Sequence, residues 1–149
     1  RELMMATDRL DVQSLPDAAG NEPWTGMPAG TTMGHVHLHI GDIAAGSAFY
    51  SGALGFDKTV WHYPGALFLA AGGYHHHLGT NTWAGPGASP ASPADARLLE
   101  WTIRVPDEAT LVAARESLDR AGYPVDQYEG SLLARDPWQT TVRLALAGG

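Results

Sequence analysis

A repeat of 65 residues is the feature that most constrains how this chain can fold. The segment "HVHLHIGDI" begins at His35 and "EWTIRVPDE" begins at Glu100, and each alternates in character before it reaches Asp42 or Asp107. Alternation with period two indicates a β-strand, and an aspartate before a helical stretch indicates a helix N-cap. The later segments "GALFLA" and "GSLLAR" have the same offset. The repeat predicts two copies of a strand–helix–strand–strand–strand unit.

The two copies define the predicted fold class, α+β. We place module 1 at about residues 33–82 and module 2 at about residues 98–146. A sheet with one apolar face is not stable alone in water, so the modules should be related by a pseudo-twofold axis and share a core. The predicted strands lie near residues 33–40, 56–62, 65–71, 74–82, 98–105, 124–129, 131–135 and 140–146.

Two stretches rich in proline and glycine lie outside the modules. Residues 1–30 lack hydrophobic periodicity, and we expect a linker or an N-terminal arm, extended or short-helical, packed on this domain or on another chain. The domain itself is expected over residues 31–149. Residues 84–96, "AGPGASPASPADA", predict a flexible connection between the modules. Because the chain starts with arginine, we expect it to be part of a longer protein.

Composition excludes several classes of function. The formal net charge is −7, which argues against a general binder of nucleic-acid backbones. The sequence has no apolar run long enough to span a membrane, and its charged start lacks the apolar core of a signal peptide. Without cysteine it can form neither disulfides nor thiolate sites. These features fit a cytoplasmic protein.

All seven histidines lie between residues 35 and 77. In the first predicted strand, alternation places the side chains of His35, His37 and His39 on the face opposite the apolar residues that must pack on the helices. In the predicted fourth strand, His75 and His77 share a face. Solvated strand-edge or satisfied core histidines would give the same pattern, so a metal or polar-ligand site is one of two interpretations.

A carboxylate completes the metal interpretation. If a pseudo-twofold axis relates the modules, His35 and Glu100 occupy equivalent positions and meet across it. Imidazole and carboxylate together suit Fe(II), Mn(II), Zn(II), Ni(II) or Co(II), and two histidines with one carboxylate form the facial triad of non-haem iron oxygenases. The metal would serve as a Lewis acid and template.

Two longer motifs resemble a known family. The segment "GHVHLHIGDIAAGSAFYSGALGFD" resembles the opening of the vicinal oxygen chelate superfamily, which includes glyoxalase I, bleomycin-resistance proteins and extradiol dioxygenases. The segment "ALFLAAGGYHHHLGTNTWAGPGA" resembles more narrowly the C-terminal domain of its two-domain, catechol-2,3-dioxygenase-like members. The resemblance covers residues 31–146. It implies paired βαβββ modules that form a cup-shaped, open, barrel-like sheet around a divalent metal, with a second such domain or a homodimer as partner.

The resemblance also implies a ligand set. Family ligands come from the first strand of each module, here His35 and Glu100, and from a final strand. The usual final-strand glutamate is replaced by Arg143 in "DPWQTTVRL", and arginine does not ligate metals. The equivalent strand of module 1 offers His77, or His75 on the same face. We therefore predict a metal site of His35, His77 and Glu100, with Fe(II) favoured and Mn, Zn or Ni as alternatives.

The function implied first is that of a metal-dependent oxidoreductase, an extradiol-type dioxygenase that cleaves a small catecholic aromatic. His37 and His39 are predicted to move a proton or contact the substrate. Arg143, Thr102 and His75 are predicted substrate contacts, and Arg143 would favour an anionic ligand. A non-catalytic small-molecule-binding or structural domain of the same fold is the alternative from another class, and a glyoxalase-type isomerase is a further enzymatic one.

Overall fold

The computed structural model describes residues 2–5 and 8–148 of the chain. Residues 1, 6 and 7 of the predicted arm and residue 149 of the predicted domain lie outside the described residues. A short helix precedes two βαβββ modules, as the repeat predicts. The elements are α1 (Ser14–Ala19), β1 (Val36–His39), α2 (Ile43–Gly46) with its π-helical continuation (Ser47–Ala53), β2 (Asp57–Val60), β3 (Ala66–Ala70), β4 (Leu78–Asn81), β5 (Glu100–Val105), α3 (Glu108–Arg120), β6 (Val125–Tyr128), β7 (Ser131–Arg135) and β8 (Thr141–Leu146).

Each module forms its own four-stranded sheet. The strand orders are β1-β4-β3-β2 and β5-β8-β7-β6, so the two sheets have identical topology. The first strand of each module pairs in parallel with the last, and the remaining pairs are antiparallel. The predicted α+β fold of paired modules with open sheets is confirmed. Within the described ranges, no helix is long and apolar enough to cross a membrane.

The predicted helix signals are present in both modules. Asp42 accepts a hydrogen bond from the Ala45 amide at 2.6 Å, and Asp107 accepts one from the Thr110 amide at 2.8 Å. Both aspartates have extended backbones, as N-cap residues do. The hydrogen bonds from Thr110 lower the pKa of Asp107. The caps fix where each helix begins, and therefore how it lies across its sheet.

One hydrophobic core joins the modules. Phe49, on the π-helical segment of module 1, is fully buried and packs edge-on against Tyr123 of module 2 at 4.8 Å between ring centroids. A buried hydrogen bond also links the modules, because the Tyr50 hydroxyl donates to Asp136 Oδ2 at 2.6 Å. The core residues from both modules include Leu38, Ile40, Leu67, Leu69, Leu78, Leu111, Leu118, Leu132, Val142 and Leu144. The shared core predicted from the sequence is thus present.

The fourth strand is shorter than its predicted span of residues 74–82. It begins at Leu78, and His75, His76 and His77 lie in the loop before it. The loop turns at Gly72 and Gly73, whose φ angles of +63° and +79° favour glycine. The prediction that strand alternation places His75 and His77 on one face was therefore wrong, because these residues are not in a strand.

The same loop changes the alignment of the modules. Leu69 pairs with Leu78, nine residues later, whereas Ala134 pairs with Val142, eight residues later. The residue of module 1 that corresponds to Arg143 is consequently Gly79, which pairs with His37 as Arg143 pairs with Thr102. The predicted equivalence of His77 and Arg143 was wrong. The loop of module 1 carries one extra residue, and the sequence does not show where it is inserted.

The N-terminal residues contact the outer strand of module 1. The Leu3 amide donates to the Thr59 carbonyl at 2.9 Å. Glu2 accepts hydrogen bonds from the Trp61 and His62 amides at 2.8 and 2.9 Å, and it meets His62 Nδ1 at 2.7 Å. Helix α1 buries none of its residues. These contacts cover part of the backbone edge that an outer strand otherwise exposes.

This contact should depend on pH. The two amide hydrogen bonds and His62 lower the pKa of Glu2 to about 2. Because the pKa is lowered in the folded state, the contact contributes fully above the ordinary glutamate range and is lost as pH falls towards 2. Hydrogen exchange of the Trp61 and His62 amides should accelerate over that range, relative to intrinsic exchange. Glu2→Gln should abolish the pH dependence. Unchanged protection down to pH 2 would contradict the contact.

Candidate functional site

The histidine face of module 1 is lined with aromatic rings. The His37 ring lies 5.9 Å from the rings of Phe68 and Trp83, and the His76 ring lies 5.1 Å from Phe68. Phe68 also belongs to a small buried cluster on this side of the sheet, separate from the main core. The rings of His37 and His76 thus contact aromatic side chains on one side, while His35, His37 and His39 stay exposed to solvent.

His37 has a defined hydrogen-bond partner that the sequence did not reveal. Asn81 Oδ1 accepts a hydrogen bond from the Trp83 amide at 3.0 Å, which turns Asn81 Nδ2 towards His37 Nε2 at 2.7 Å. Because an amide nitrogen can only donate, His37 Nε2 accepts and the ring is neutral with its proton on Nδ1. Burial, together with His35 and His39, lowers the pKa of His37 and favours this neutral form.

His76 lies near four other imidazoles, those of His35, His37, His75 and His77. The His35 and His76 rings are 4.8 Å apart, and the His75 and His76 rings are 4.6 Å apart. His77 Nδ1 accepts a hydrogen bond from the Ala71 amide at 3.2 Å. Burial lowers the pKa of His76, and the neighbouring histidines lower it further. Nearby imidazoles disfavour the charged form of His37 and His76, so both pKa shifts favour the neutral ring.

Glu100 and Arg143 form a bidentate ion pair in module 2. Arg143 Nε lies 2.6 Å from Glu100 Oε1, and Arg143 Nη2 lies 3.1 Å from Glu100 Oε2. The guanidinium also lies 5.7 Å from the centre of the Tyr128 ring. The hydrogen bonds to Glu100 raise the pKa of Arg143. The predicted metal ligand Glu100 and the predicted anion contact Arg143 are therefore already paired with each other.

The predicted site residues are distributed over separate cavities. His35, His77 and Thr102 line one cavity of about 240 Å³ between the first strands of the modules. Glu100 lines a different one of about 460 Å³ on module 2. His37 and His39 line a third of about 340 Å³, and His75 lines a fourth of about 290 Å³ beside the N-terminal residues.

The metal site predicted from His35, His77 and Glu100 is thus not assembled as one donor set. In the described part of the chain, no group of three or more histidine, aspartate or glutamate side chains is arranged to hold a metal ion. Both carboxylate oxygens of Glu100 are engaged by Arg143. The residues present do not fit the ion that the family resemblance implies. The roles predicted for His37, His39, His75 and Thr102 stay predictions.

Sequence reasoning did not identify Tyr50 and Asp136 as partners. Asp136 is 2% exposed, and its Oδ1 also accepts hydrogen bonds from the Trp138 and Thr140 amides at 2.9 and 2.8 Å. Burial raises the pKa of Asp136, and burial and the neighbouring aspartate raise that of Tyr50. The "DPW" segment signals a turn that such a carboxylate caps, but nothing in the sequence pairs it with Tyr50, 86 residues earlier.

Comparison with known proteins agrees with this architecture. No family model matches the chain. A curated relative, the catechol-2,3-dioxygenase of Bacillus subtilis (strain 168), is 40% identical over 136 residues, which is 90% of this chain and 47% of the relative. The chain therefore spans about half the length of that relative.

Solved structures share the fold at lower identity. Lactoylglutathione lyase from Agrobacterium tumefaciens has a TM-score of 0.60 at 20% identity, over 81% of this chain and 96% of that one. A glyoxylase/bleomycin resistance protein/dioxygenase domain from Frankia sp. EAN1pec has a TM-score of 0.58 at 17% identity, over 78% and 98%. The fosfomycin resistance protein FosX from Mesorhizobium loti has a TM-score of 0.56 at 14% identity, over 81% and 94%. The fold shared with these structures and the sequence similarity to the catechol-2,3-dioxygenase are consistent with the vicinal oxygen chelate superfamily of glyoxalase, bleomycin-resistance and dioxygenase proteins.

Proposed function

We propose that this domain binds a small organic molecule without holding a metal ion at the positions its family uses for ligands. The observation that carries the proposal is the bidentate pair of Glu100 and Arg143. It occupies the first-strand and the final-strand ligand positions of module 2. The corresponding final-strand position of module 1 is Gly79, which has no side chain to donate.

The chemistry of the pair argues against a metal there. A divalent cation that bound Glu100 would have to displace the guanidinium or lie close to it, and like charges at such distances repel each other. The two side chains are only 36% and 22% exposed, so solvent screens the repulsion incompletely. A bidentate arginine–carboxylate pair is also among the stronger charged hydrogen-bond arrangements, which adds to the cost of displacing it.

The proposal also concerns the longer relative. We infer that, if the parent protein of this chain cleaves a catecholic aromatic as an extradiol dioxygenase, the metal for that reaction is held outside this chain. This domain would then supply small-molecule binding or structural support to the catalytic part. The 40% identity to a protein named catechol-2,3-dioxygenase supports a connection with that reaction. This chain covers 47% of that protein, so the rest of its length could hold another domain.

Metal analysis tests the proposal. The chain should be purified without a nickel column, incubated with Fe(II) under anaerobic conditions or with Mn(II) or Zn(II), dialysed, and measured by elemental mass spectrometry. We expect far less than stoichiometric metal. Stoichiometric metal that His35→Ala removes would contradict the proposal and restore the predicted dioxygenase centre.

A pair of variants sharpens this test. Arg143→Gln frees Glu100 and removes the nearby cation, so metal affinity should rise about tenfold or more, which corresponds to about 1.4 kcal/mol. Arg135→Gln removes the same charge from the same cavity, two strands away from Glu100, and should leave metal affinity unchanged. Equal effects of both substitutions would mean that only net charge matters and that the ion pair does not block the position.

A further inference from the structure

A cavity at the junction of the modules, here called the junction cavity, has about 340 Å³ of space. We propose that it binds a small aromatic carboxylate, a one-ring acid whose anionic group meets Arg97 and whose ring packs against Trp138. This inference rests on the proposed function, since it names the ligand class that the domain would take. Its lining includes His37, His39, Ser89, Arg97, Leu98 and Trp138.

Three parts of the chain build the junction cavity. Strand β1 contributes His37 and His39, and the β7–β8 turn contributes Trp138. The connection between the modules contributes Ala88, Ser89, Ala91, Arg97 and Leu98. The Trp138 indole Nε1 donates to the Ala88 carbonyl at 3.1 Å. The Gly87 amide donates to the Gly41 carbonyl at 2.7 Å. The connection, which the sequence predicts to be flexible, is therefore hydrogen-bonded to both modules at residues 87 and 88.

The charge of the lining favours an anion. Of the described residues that line the junction cavity, none is an aspartate or glutamate, although the whole chain carries a net charge of −7. Arg97 Nη1 makes one long hydrogen bond, 3.4 Å to the Ala91 carbonyl, and among the described residues no carboxylate lies within ion-pair distance of it. Its other donors can bind a carboxylate in the bidentate manner that guanidinium favours.

The residues that line the larger cavity on module 2 carry charge of the opposite sign. Glu100, Asp126 and Asp136 line it together with Arg135, so carboxylates outnumber cations there. An organic anion would meet repulsion in that cavity and attraction in the junction cavity. The contrast makes Arg97 and Arg135 a matched pair for experiments, because each is an arginine at the edge of a cavity and only one cavity is proposed to bind an anion.

The apolar part of the lining indicates a flat ring. Trp138, Leu98 and Ala91 supply apolar surface, while Ser89, Thr140 and the histidines supply polar groups at the same cavity. An indole next to a planar ligand ring gains offset or edge-on stacking. Small-molecule sites usually have volumes of about 300–1,000 Å³, so this cavity lies at the lower end, where one-ring ligands fit.

Binding of benzoate tests the inference. The chain should be treated with EDTA and titrated with benzoate while the ¹H–¹⁵N resonance of the Trp138 indole is followed, with Trp138→Phe used only to assign that resonance. We expect a saturable shift with an affinity in roughly the millimolar range, as befits a small ligand. Arg97→Gln should weaken binding about tenfold or more, because it removes a charge-assisted hydrogen bond. Arg135→Gln should leave binding unchanged.

Three outcomes would overturn the inference. The first is no saturable shift of the Trp138 indole, and the second is equal weakening by Arg97→Gln and Arg135→Gln. The third is that neutral benzyl alcohol binds as tightly as benzoate, because the site would then not select an anion. Since the titration is done in EDTA, its failure is distinct from failure of the proposed function, which would appear as stoichiometric bound metal.

Discussion

Replacing Asp136 with alanine should lower the free energy of unfolding by about 3–5 kcal/mol, because three hydrogen-bond donors lose their buried acceptor. The Asp136 carboxylate is 2% exposed and accepts hydrogen bonds from the Tyr50 hydroxyl and from two backbone amides. Alanine would leave these three donors without a partner in a buried place. Each unsatisfied buried donor costs about 1–3 kcal/mol, and relaxation of the turn recovers part of the sum.

Urea denaturation would measure this effect. Tyr50→Phe should cost less, about 1.5–3 kcal/mol, because it removes one bond to a charged group and leaves the two amide bonds intact. In the double variant the losses should not add, since both substitutions remove the same bond. Asp126→Ala, an exposed aspartate at the same cavity, is the control and should change stability little. Additive losses would show that the bond does not couple the modules.

Replacing Gly41 with alanine should cost about 1–3 kcal/mol through overpacking. An added Cβ would overlap the Ala88 carbonyl oxygen and would lie 2.8 Å from Trp138 Nε1. The obstruction includes backbone, so the connection between the modules must move away. The hydrogen bonds from Gly87 to Gly41 and from Trp138 to Ala88 would be strained or lost. The junction cavity should lose its shape as a result.

Two measurements would check the Gly41 prediction. Urea denaturation should show the loss of stability, and limited proteolysis should show faster cleavage within residues 84–97. Gly52→Ala is the matched control, because the nearest atom to its added Cβ is the Ser47 carbonyl oxygen at 3.9 Å. That substitution should be neutral or stabilising, since alanine favours helical backbone over glycine. Unchanged proteolysis of the Gly41 variant would mean that the connection is not held where the structure places it.

The sequence predicts most of the fold because the fold repeats. Alternation marks seven of the eight strands closely, and both N-cap aspartates have the predicted role. The exception is β4, which was predicted too long because "YHHHLGTN" has the pattern of one extended strand. Histidine has no strong preference between strand and loop, so nothing in that run marks where pairing begins. The pair of glycines before it was the available signal, and it indicates a turn.

The candidate site was less predictable because it depends on register. Glu100 and Arg143 lie 43 residues apart, and they meet only because β5 and β8 pair so that Thr102 faces Arg143. Alternation assigns each side chain to a face, but it does not say which residue of another strand lies beside it. The contact of Asn81 with His37 was missed for the same reason. The sequence predicts on which face of the sheet a side chain lies. Which side chain of another strand lies beside it is known only once the strand register is known.

The bare backbone at Gly79 limits how module 1 can change during evolution. A Cβ at that position would lie 3.0 Å from His37 Nδ1 and 3.2 Å from a ring carbon of Phe68. The His37 ring is held by Asn81 and Trp83, so it has little freedom to move aside. An acidic ligand at residue 79 would therefore require the His37 ring to shift by a few tenths of an ångström or a smaller side chain at residue 37. In module 2 an acidic side chain at the equivalent position needs only a substitution of Arg143. Module 2 could therefore acquire a metal ligand at this position more easily than module 1.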